Sequence, residues 1–186
     1  MVHLHTEPGQ YDLTVSAFVV RLGQAEPMLL LHRHRSLGML MQVGGHVELN
    51  ETPWQALRRE VREETGYAPD QLRVLQPPLR LKDAAGIDIH PQPVCLRSFR
   101  FGNLDHFHTD ISYALITQDA PRYSVGEGES PVIWLTQGQL LDVPDDQTYE
   151  DVRHTAVFIL DHLLHEWESI PVAGQGTVLC PTSAFR

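Results

Sequence analysis

The chain has 186 residues, a formal net charge of −10 and two cysteines. This length fits a single domain over residues 1–186 with a sizeable core, and the lack of a Lys/Arg-rich run argues against an electrostatic nucleic-acid binder. No apolar run approaches the roughly 20 residues of a membrane span. With no signal-peptide pattern at the N-terminus and too few cysteines for a disulfide framework, we expect a cytoplasmic protein.

The first predicted elements are two strands and a basic segment. Residues 13–22 are rich in β-branched and aromatic side chains, and residues 28–31 form a short apolar run. Together with the turn between them they predict a β-hairpin. The segment that follows is basic and suits either a solvated loop or a contact to phosphate or base. Its candidate substrate-binding residues are His32, Arg33 and Arg35.

The next segment combines a glycine pair with a helix. Residues 39–43 predict a short strand that leads into Gly44 and Gly45, where glycine lets the backbone approach a ligand closely. Thr52 is a good N-cap, and Gln55 completes a capping box around the proline between them. With Gly66 as a stop signal, the pattern predicts a helix from Pro53 to Thr65.

This helix carries more acid than a stable helix needs. Glu60 and Glu64 are like charges at i,i+4, and Glu60 and Glu63 at i,i+3, and each pair costs roughly 0.2–0.5 kcal/mol. The two later glutamates also lie in the last turn, where the helix dipole disfavours anions, although Arg59 can offset part of this. The alternative is an ordinary solvated face. A bound divalent cation would turn the repulsion into ligation, because hard cations prefer carboxylate oxygens.

The spacing of residues 45–67 is G-x5-E-x7-R-E-V-x-E-E-x-G-Y. It resembles the signature of the Nudix (MutT-like) superfamily, G-x5-E-x7-R-E-U-x-E-E-x-G-U, where U is a bulky apolar residue. Every fixed residue matches. Tyr67 is aromatic where an aliphatic residue is usual, and Val43 stands where many members have proline. The resemblance implies an α/β/α sandwich, with a mixed β-sheet between helices.

The resemblance also implies roles within the box. The implied ligands of Mg²⁺ or Mn²⁺ are the carboxylates of Glu60, Glu63 and Glu64 and the carbonyl of Gly45. Glu51 and Arg59 would orient these ligands without binding the metal themselves. The implied reaction is hydrolysis of a nucleoside diphosphate linked to another moiety, with water attacking phosphorus. The general base is Glu60, Glu63 or Glu129, and the sequence leaves that choice open.

Beyond the box, short strands are predicted over residues 72–75, 79–81, 93–101 and 111–117, with a loop over residues 102–110. His106 and His108 lie in that loop. A zinc site is one interpretation, but no cysteine lies nearby, and substrate recognition in a groove beside the metal is the better supported one.

The last third predicts one strand, two helices and a tail. Residues 131–135 predict a strand and 136–141 a helical turn. The preceding loop holds Glu127, a candidate substrate contact, and Glu129, because Nudix proteins often carry one more glutamate there. Thr148 is predicted to cap a structural helix that runs to about Ser169. The tail over residues 170–186 is expected to be loose, to dock on the body or to reach a second subunit, which leaves a homodimer open.

Two other functions fit the same resemblance. A Nudix-fold sensor that binds a nucleotide without cleaving it usually has a degraded box or an added DNA-binding domain, and this chain shows neither. An isomerase acting on an isoprenoid diphosphate would need a catalytic cysteine outside the box, for which Cys95 is a weak candidate. The weak substrate markers beyond the box are missing, so NTPs, dinucleotides and sugar nucleotides all stay open.

Overall fold

The computed structural model describes residues 6–35, 37–82, 87–100, 106–125 and 131–175. Within these ranges nine strands form one mixed sheet: β1 (Tyr11–Arg21), β2 (Met28–Arg33), β3 (Leu40–Met41), β4 (Val43–His46), β5 (Arg73–Gln76), β6 (Cys95–Arg100), β7 (Phe107–Thr117), β8 (Val132–Thr136) and β9 (Glu168–Pro171). The helices are α1 (Pro53–Thr65), α2 (Gln137–Leu141) and α3 (Glu150–Phe158), which continues through a π-helical turn (Ile159–Leu163) into α4 (Leu164–Glu166).

Strand β1 organises the sheet. It runs parallel to β7 from the Tyr11–Phe107 pair to the Arg21–Thr117 pair. Its other edge is shared, because β4 pairs antiparallel with its first half and β2 with its second half. Strands β2 and β4 therefore lie end to end along one edge of β1. Strand β3 pairs with the end of β2, and the chain continues from it directly into β4. The junction brings His32, at the end of β2, towards the Gly44–Gly45 pair.

The outer strands extend both sides of this centre. Strand β8 pairs with β2 on one side. On the other side β6 and β5 pair with successive parts of β7, and β9 pairs with β5. None of the helices in the described ranges has both the length and the apolar character needed to cross a bilayer.

Two cores on opposite faces of the sheet define three layers. Alternate side chains of β1 point to opposite faces, as the twofold period of a strand requires. One face packs against α1, in a core that includes Val15, Val19, Trp54, Leu57 and Val61. The other packs against α3 and its π-helical turn, in a core that includes Phe18, Val20, Val152, Ala156 and Leu163. Burying each such Val, Leu or Phe side chain stabilises the fold by about 1.5–3 kcal/mol. The α/β/α sandwich is confirmed.

Most of the local predictions in the first half of the chain agree with the structure. The hairpin of β1 and β2 is confirmed, and the box helix has the predicted bounds. The strand predicted over residues 39–43 is split into β3 and β4, and β4 continues through both glycines. The strand predicted over residues 72–75 corresponds to β5. The strand predicted over residues 79–81 is wrong, because this stretch bends and leaves Leu79 93% and Leu81 69% exposed.

Three predictions in the second half also need correction. The loop predicted over residues 102–110 ends earlier, because Phe107 to Asp110 pair with β1 and belong to β7. Thr148 does not cap α3: its hydroxyl donates to the Leu40 carbonyl at 2.9 Å, and Tyr149 is the N-cap residue. The helical segment ends at Glu166, and the predicted tail begins inside β9.

Candidate active site

The ends of helix α1 are fixed by local hydrogen bonds. The Thr52 hydroxyl accepts from the Gln55 N–H at 3.3 Å, and the Gln55 side-chain oxygen accepts from the Thr52 N–H at 2.8 Å. An N-cap of this kind stabilises a helix by about 1 kcal/mol. At the other end Gly66 has a left-handed φ of 76°, and its N–H donates to the Arg62 carbonyl. These caps set the rotation at which the acidic flank of α1 faces the glycine pair.

Two carboxylates of α1 meet the glycine pair of β4. Glu64 Oε2 accepts from the Gly44 N–H at 2.9 Å. A Cβ placed on Gly45 would lie 2.4 Å from Glu60 Oε1, so a side chain there would displace the Glu60 carboxylate. Because Gly45 has no side chain, the Glu60 carboxylate can approach the main chain at this position.

Arg59 links four acceptors behind these carboxylates. Its guanidinium lies 2.7 Å from Glu51 Oε1, 2.7 Å from Glu60 Oε1 and 3.4 Å from Glu63 Oε2. It also donates to the His46 carbonyl at 3.0 Å. A planar guanidinium can hold several acceptors in fixed directions, which an ammonium group cannot do. Arg59 therefore orients Glu60 and joins α1 to the end of β4.

The charged groups of this network have shifted pKa values. Burial raises the pKa of Glu60 above its ordinary 4.5, and the nearby Arg59 charge offsets this only in part. Burial acts in the same direction on Glu51, but hydrogen bonds from Arg59 and from the Glu48 N–H outweigh it and lower the pKa of Glu51. The pKa of Arg59 is raised, chiefly by its hydrogen bond to Glu51. Glu60 is thus a carboxylate with a side chain only 14% exposed, and its pKa is raised although Arg59 lies beside it.

His32 is the member of the basic segment that reaches this centre. It is buried, and its Nδ1 lies 3.9 Å from Glu64 Oε1. Burial, and then the neighbouring His34, lower the pKa of His32 to about 4, so its imidazole is neutral at pH 7. Arg33 and Arg35 are exposed, and the Arg33 guanidinium donates to the Gly38 carbonyl.

The residues of this centre suit a hard divalent cation. The side chains of Glu60 and Glu64 are 14% and 16% exposed, whereas that of Glu63 is 58% exposed at the rim. Each supplies carboxylate oxygen, the donor that Mg²⁺ and Mn²⁺ prefer. A cation here would compensate the buried Glu60 charge, and Arg59 would hold the carboxylates in place.

Four further predicted site residues are two glutamates and two histidines. Glu127 and Glu129 fall outside the described residues. His106 and His108 are 5% and 6% exposed, on the face of the sheet opposite α1, where they meet Asp12 and His46. Sequence reasoning missed Asp12 and His46, because only the register of β1 with β4 and β7 brings these four residues together.

A cavity of about 200 Å³ lies on the α3 side of the sheet, near the start of β4. Gln42, Arg97, Phe99 and Tyr149 are among the residues that line it. Gln42 is two residues before Gly44, and its side-chain amide donates to the Ser16 hydroxyl at 3.0 Å. The cavity thus combines two aromatic rings with an amide and a guanidinium close to the glycine pair.

A comparison with protein families decides the relationship. The model of the NUDIX domain matches residues 11–152, from the start of β1 into α3. The chain belongs to the Nudix family. It is a Nudix hydrolase, an enzyme that acts on phosphoric anhydride bonds, and Nudix hydrolases generally use divalent metals. A search of curated proteins finds no match.

Solved structures agree with this assignment. A hydrolase of the NUDIX family from Clostridium perfringens is 27% identical, with a TM-score of 0.66 over 81% of this chain and 96% of that one. An Ap4A hydrolase from C. elegans is 14% identical, with a TM-score of 0.55 over 78% of this chain and 93% of that one. The NUDIX domain of Shewanella oneidensis NrtR, complexed with ADP ribose, is 16% identical, with a TM-score of 0.55 over 80% and 87%. The last two share the fold.

Proposed function

We propose that this Nudix hydrolase is an Mg²⁺- or Mn²⁺-dependent pyrophosphohydrolase. Its substrate would be a nucleoside diphosphate linked to another moiety, as in an NTP, a dinucleotide or a sugar nucleotide, and water would attack phosphorus. The observation that carries the proposal is the approach of Glu60 and Glu64 to Gly44 and Gly45. These two carboxylates have limited exposure, and they lie beside main chain that is accessible because glycine has no side chain.

The proposed ligands are the carboxylates of Glu60, Glu63 and Glu64 and the carbonyl of Gly45. A bound Mg²⁺ or Mn²⁺ would supply positive charge for the diphosphate and acidify a water. Arg59 would hold Glu60 and Glu63, while Glu51 keeps the guanidinium in position.

The proposed general base is one of three carboxylates. Glu63 is its most exposed member, so it can reach a water without losing its place on α1. Glu60 is the alternative, because burial raises its pKa above the ordinary value, and a carboxylate with a higher pKa is a stronger proton acceptor. Glu129 stays a third candidate from the sequence.

The cavity beside Gln42 suits a nucleoside. Any nucleobase can stack on the face of an aromatic ring, and Phe99 and Tyr149 supply two such rings. The basic segment of His32, Arg33 and Arg35 lies at the end of β2, where His32 approaches Glu64, and is proposed to meet the leaving part of the substrate. A homodimer stays a prediction.

The test is a panel of nucleotides with Mg²⁺. ATP, 8-oxo-dGTP, a diadenosine polyphosphate, ADP-ribose and a UDP-sugar should be incubated with the protein, and the products separated by chromatography. The proposal expects a mononucleotide product from at least one compound, formed with Mg²⁺ and not with EDTA. Tight binding with no product would favour the sensor, and no interaction with any nucleotide would contradict the proposed substrate class.

A further inference from the structure

A second cluster of ligand-type side chains lies on the other face of the sheet. Asp12 comes from β1, His46 ends β4, His106 directly precedes β7, and His108 is the second residue of β7. One ligand atom from each lies within 4.8 Å of all the others. Gly45 faces Glu60 on α1, so His46, the next residue of the strand, points to the opposite face. The cluster is thus separate from the carboxylates of α1.

From this convergence we propose that Asp12, His46, His106 and His108 bind a Zn²⁺-class transition-metal ion. Three imidazole nitrogens and one carboxylate oxygen form a donor set that suits zinc and its neighbours in the first transition row. The same set is a poor choice for Mg²⁺, which prefers oxygen ligands and keeps several waters. This site is therefore independent of the proposed hydrolytic metal.

Three of the distances between the donor atoms are close to those in a tetrahedral site. Ligands about 2.0–2.1 Å from a tetrahedral zinc ion are about 3.3–3.4 Å apart. Here His46 Nε2 lies 3.4 Å and His106 Nε2 lies 3.1 Å from Asp12 Oδ2, and the Nε2 atoms of His106 and His108 are 2.9 Å apart. All four donor atoms lie within 4.8 Å of one another, so side-chain adjustments of about 1 Å would bring them to tetrahedral spacing around one cation.

Backbone pairing holds the four residues in this arrangement. Asp12 is the register partner of His108, and His46 is the partner of Thr14. The Val47 N–H donates to the Leu13 carbonyl at 2.9 Å and extends the pairing beyond β4. Three strands therefore present their ligands from a rigid sheet, which is the support that a metal site needs.

The surroundings favour a closed site. Asp12, His106 and His108 are 5–6% exposed, and the side chain of His46 is 12% exposed. The Phe99 ring packs edge-on against His108, with 5.6 Å between ring centroids. Four protein ligands leave no open position, as in structural rather than catalytic zinc sites. The ion would clamp the start of β1 and β7 to the end of β4, next to Gly45.

The first test uses the full chain and needs no variant. The protein is stripped with a chelator, dialysed and titrated with Zn²⁺ or Co²⁺ in excess Mg²⁺. We expect one ion per chain by elemental analysis, a visible cobalt spectrum of the tetrahedral type, and a higher Tm with Zn²⁺. Zinc content far below one per chain, or an octahedral cobalt spectrum, would overturn the proposal.

Variants then assign the ligands. His106→Gln and His108→Gln should each weaken zinc binding by about 10-fold or more, because loss of even a supporting group costs about 10–100-fold, and should reduce the rise in Tm at a fixed Zn²⁺ concentration. His154→Gln is the matched control, since this histidine lies on α3 with 73% of its side chain exposed. Glu64→Gln should leave zinc binding unchanged. Equal zinc affinity in wild type and both ligand variants would contradict the assignment.

Discussion

Glu64 on α1 accepts a 2.9 Å hydrogen bond from the main-chain N–H of Gly44 on β4. This bond joins residues 20 positions apart and fixes the helix against the strand where the candidate metal ligands meet. One Glu64 oxygen is engaged by the strand, while the other lies 3.9 Å from His32. The arrangement leads to five predictions.

The two glycines should respond differently to alanine. At Gly45 the new Cβ would lie 2.4 Å from the end of the Glu60 side chain, which can move aside. Gly45→Ala should therefore fold with a Tm within a few degrees of wild type but lose most activity. At Gly44 the φ is 152° and the Cβ would lie 2.1 Å from the Val15 carbonyl oxygen, so Gly44→Ala should cost roughly 2–4 kcal/mol of stability. Thermal melts and rates on the accepted nucleotide distinguish the two, and equal stability losses would contradict this account.

Arg59→Lys should weaken the metal site without unfolding the protein. An ammonium group cannot contact Glu51, Glu60 and the His46 carbonyl at once as the guanidinium does. We expect the Mg²⁺ concentration for half-maximal activity to rise about 10- to 100-fold. Arg58→Lys on the same helix is the control and should behave like wild type. An unchanged Mg²⁺ dependence in Arg59→Lys would contradict the proposal that Arg59 orients the metal ligands.

Glu60 should make metal-free stability depend on pH. Its folded-state pKa is raised above 4.5 by burial, so the folded state keeps a proton that the unfolded chain has already released. Stability therefore falls as the pH rises from about 4.5 through the folded-state pKa. Glu60→Gln removes the group that causes this loss. In EDTA, the free energy of unfolding of the variant minus that of wild type should therefore increase between pH 4.5 and pH 7. Urea titrations at both pH values measure it, with Glu150→Gln, whose side chain is 85% exposed, as control. A constant difference would contradict the assignment.

Tyr149→Ala should weaken substrate binding if the cavity holds the base. Loss of one stacking ring costs about 1–3 kcal/mol, which is roughly a 5- to 150-fold rise in KM. The value of kcat should change little, because Tyr149 lines the cavity on the α3 side of the sheet and is not one of the groups proposed to hold the metal or the attacking water. Tyr149→Phe keeps the ring and should retain the KM of wild type. A normal KM in Tyr149→Ala would place the nucleoside elsewhere.

The sequence predicted the parts of the site that are local in the chain. The capping box at Thr52, the stop at Gly66 and the acidic flank of α1 all depend on residues within a few turns of one another, and the helix forms as predicted. The direction in which Gly45 faces could be anticipated only through the resemblance, because the approach of Glu60 is a tertiary contact.

The remaining features depend on strand register, which the sequence pattern does not contain. Strand β7 begins at Phe107 because it pairs with Tyr11, 96 residues away. Strand β9 is short and ends in proline, so only its pairing with β5 reveals it. The same register brings Asp12 and His46 to His106 and His108, and without it the two later histidines read as an isolated pair.

The central claim is that the carboxylates of α1 carry the metal-dependent hydrolysis. Its most direct test is the Mg²⁺-dependent turnover of the accepted nucleotide by Glu60→Gln and Glu64→Gln, with Glu150→Gln as an exposed control and far-UV circular dichroism to verify folding. We predict that each box variant loses turnover by about 10²-fold or more, a loss of at least about 2.7 kcal/mol of transition-state stabilisation, while the control keeps it. Rates like those of wild type in both folded box variants would contradict the claim.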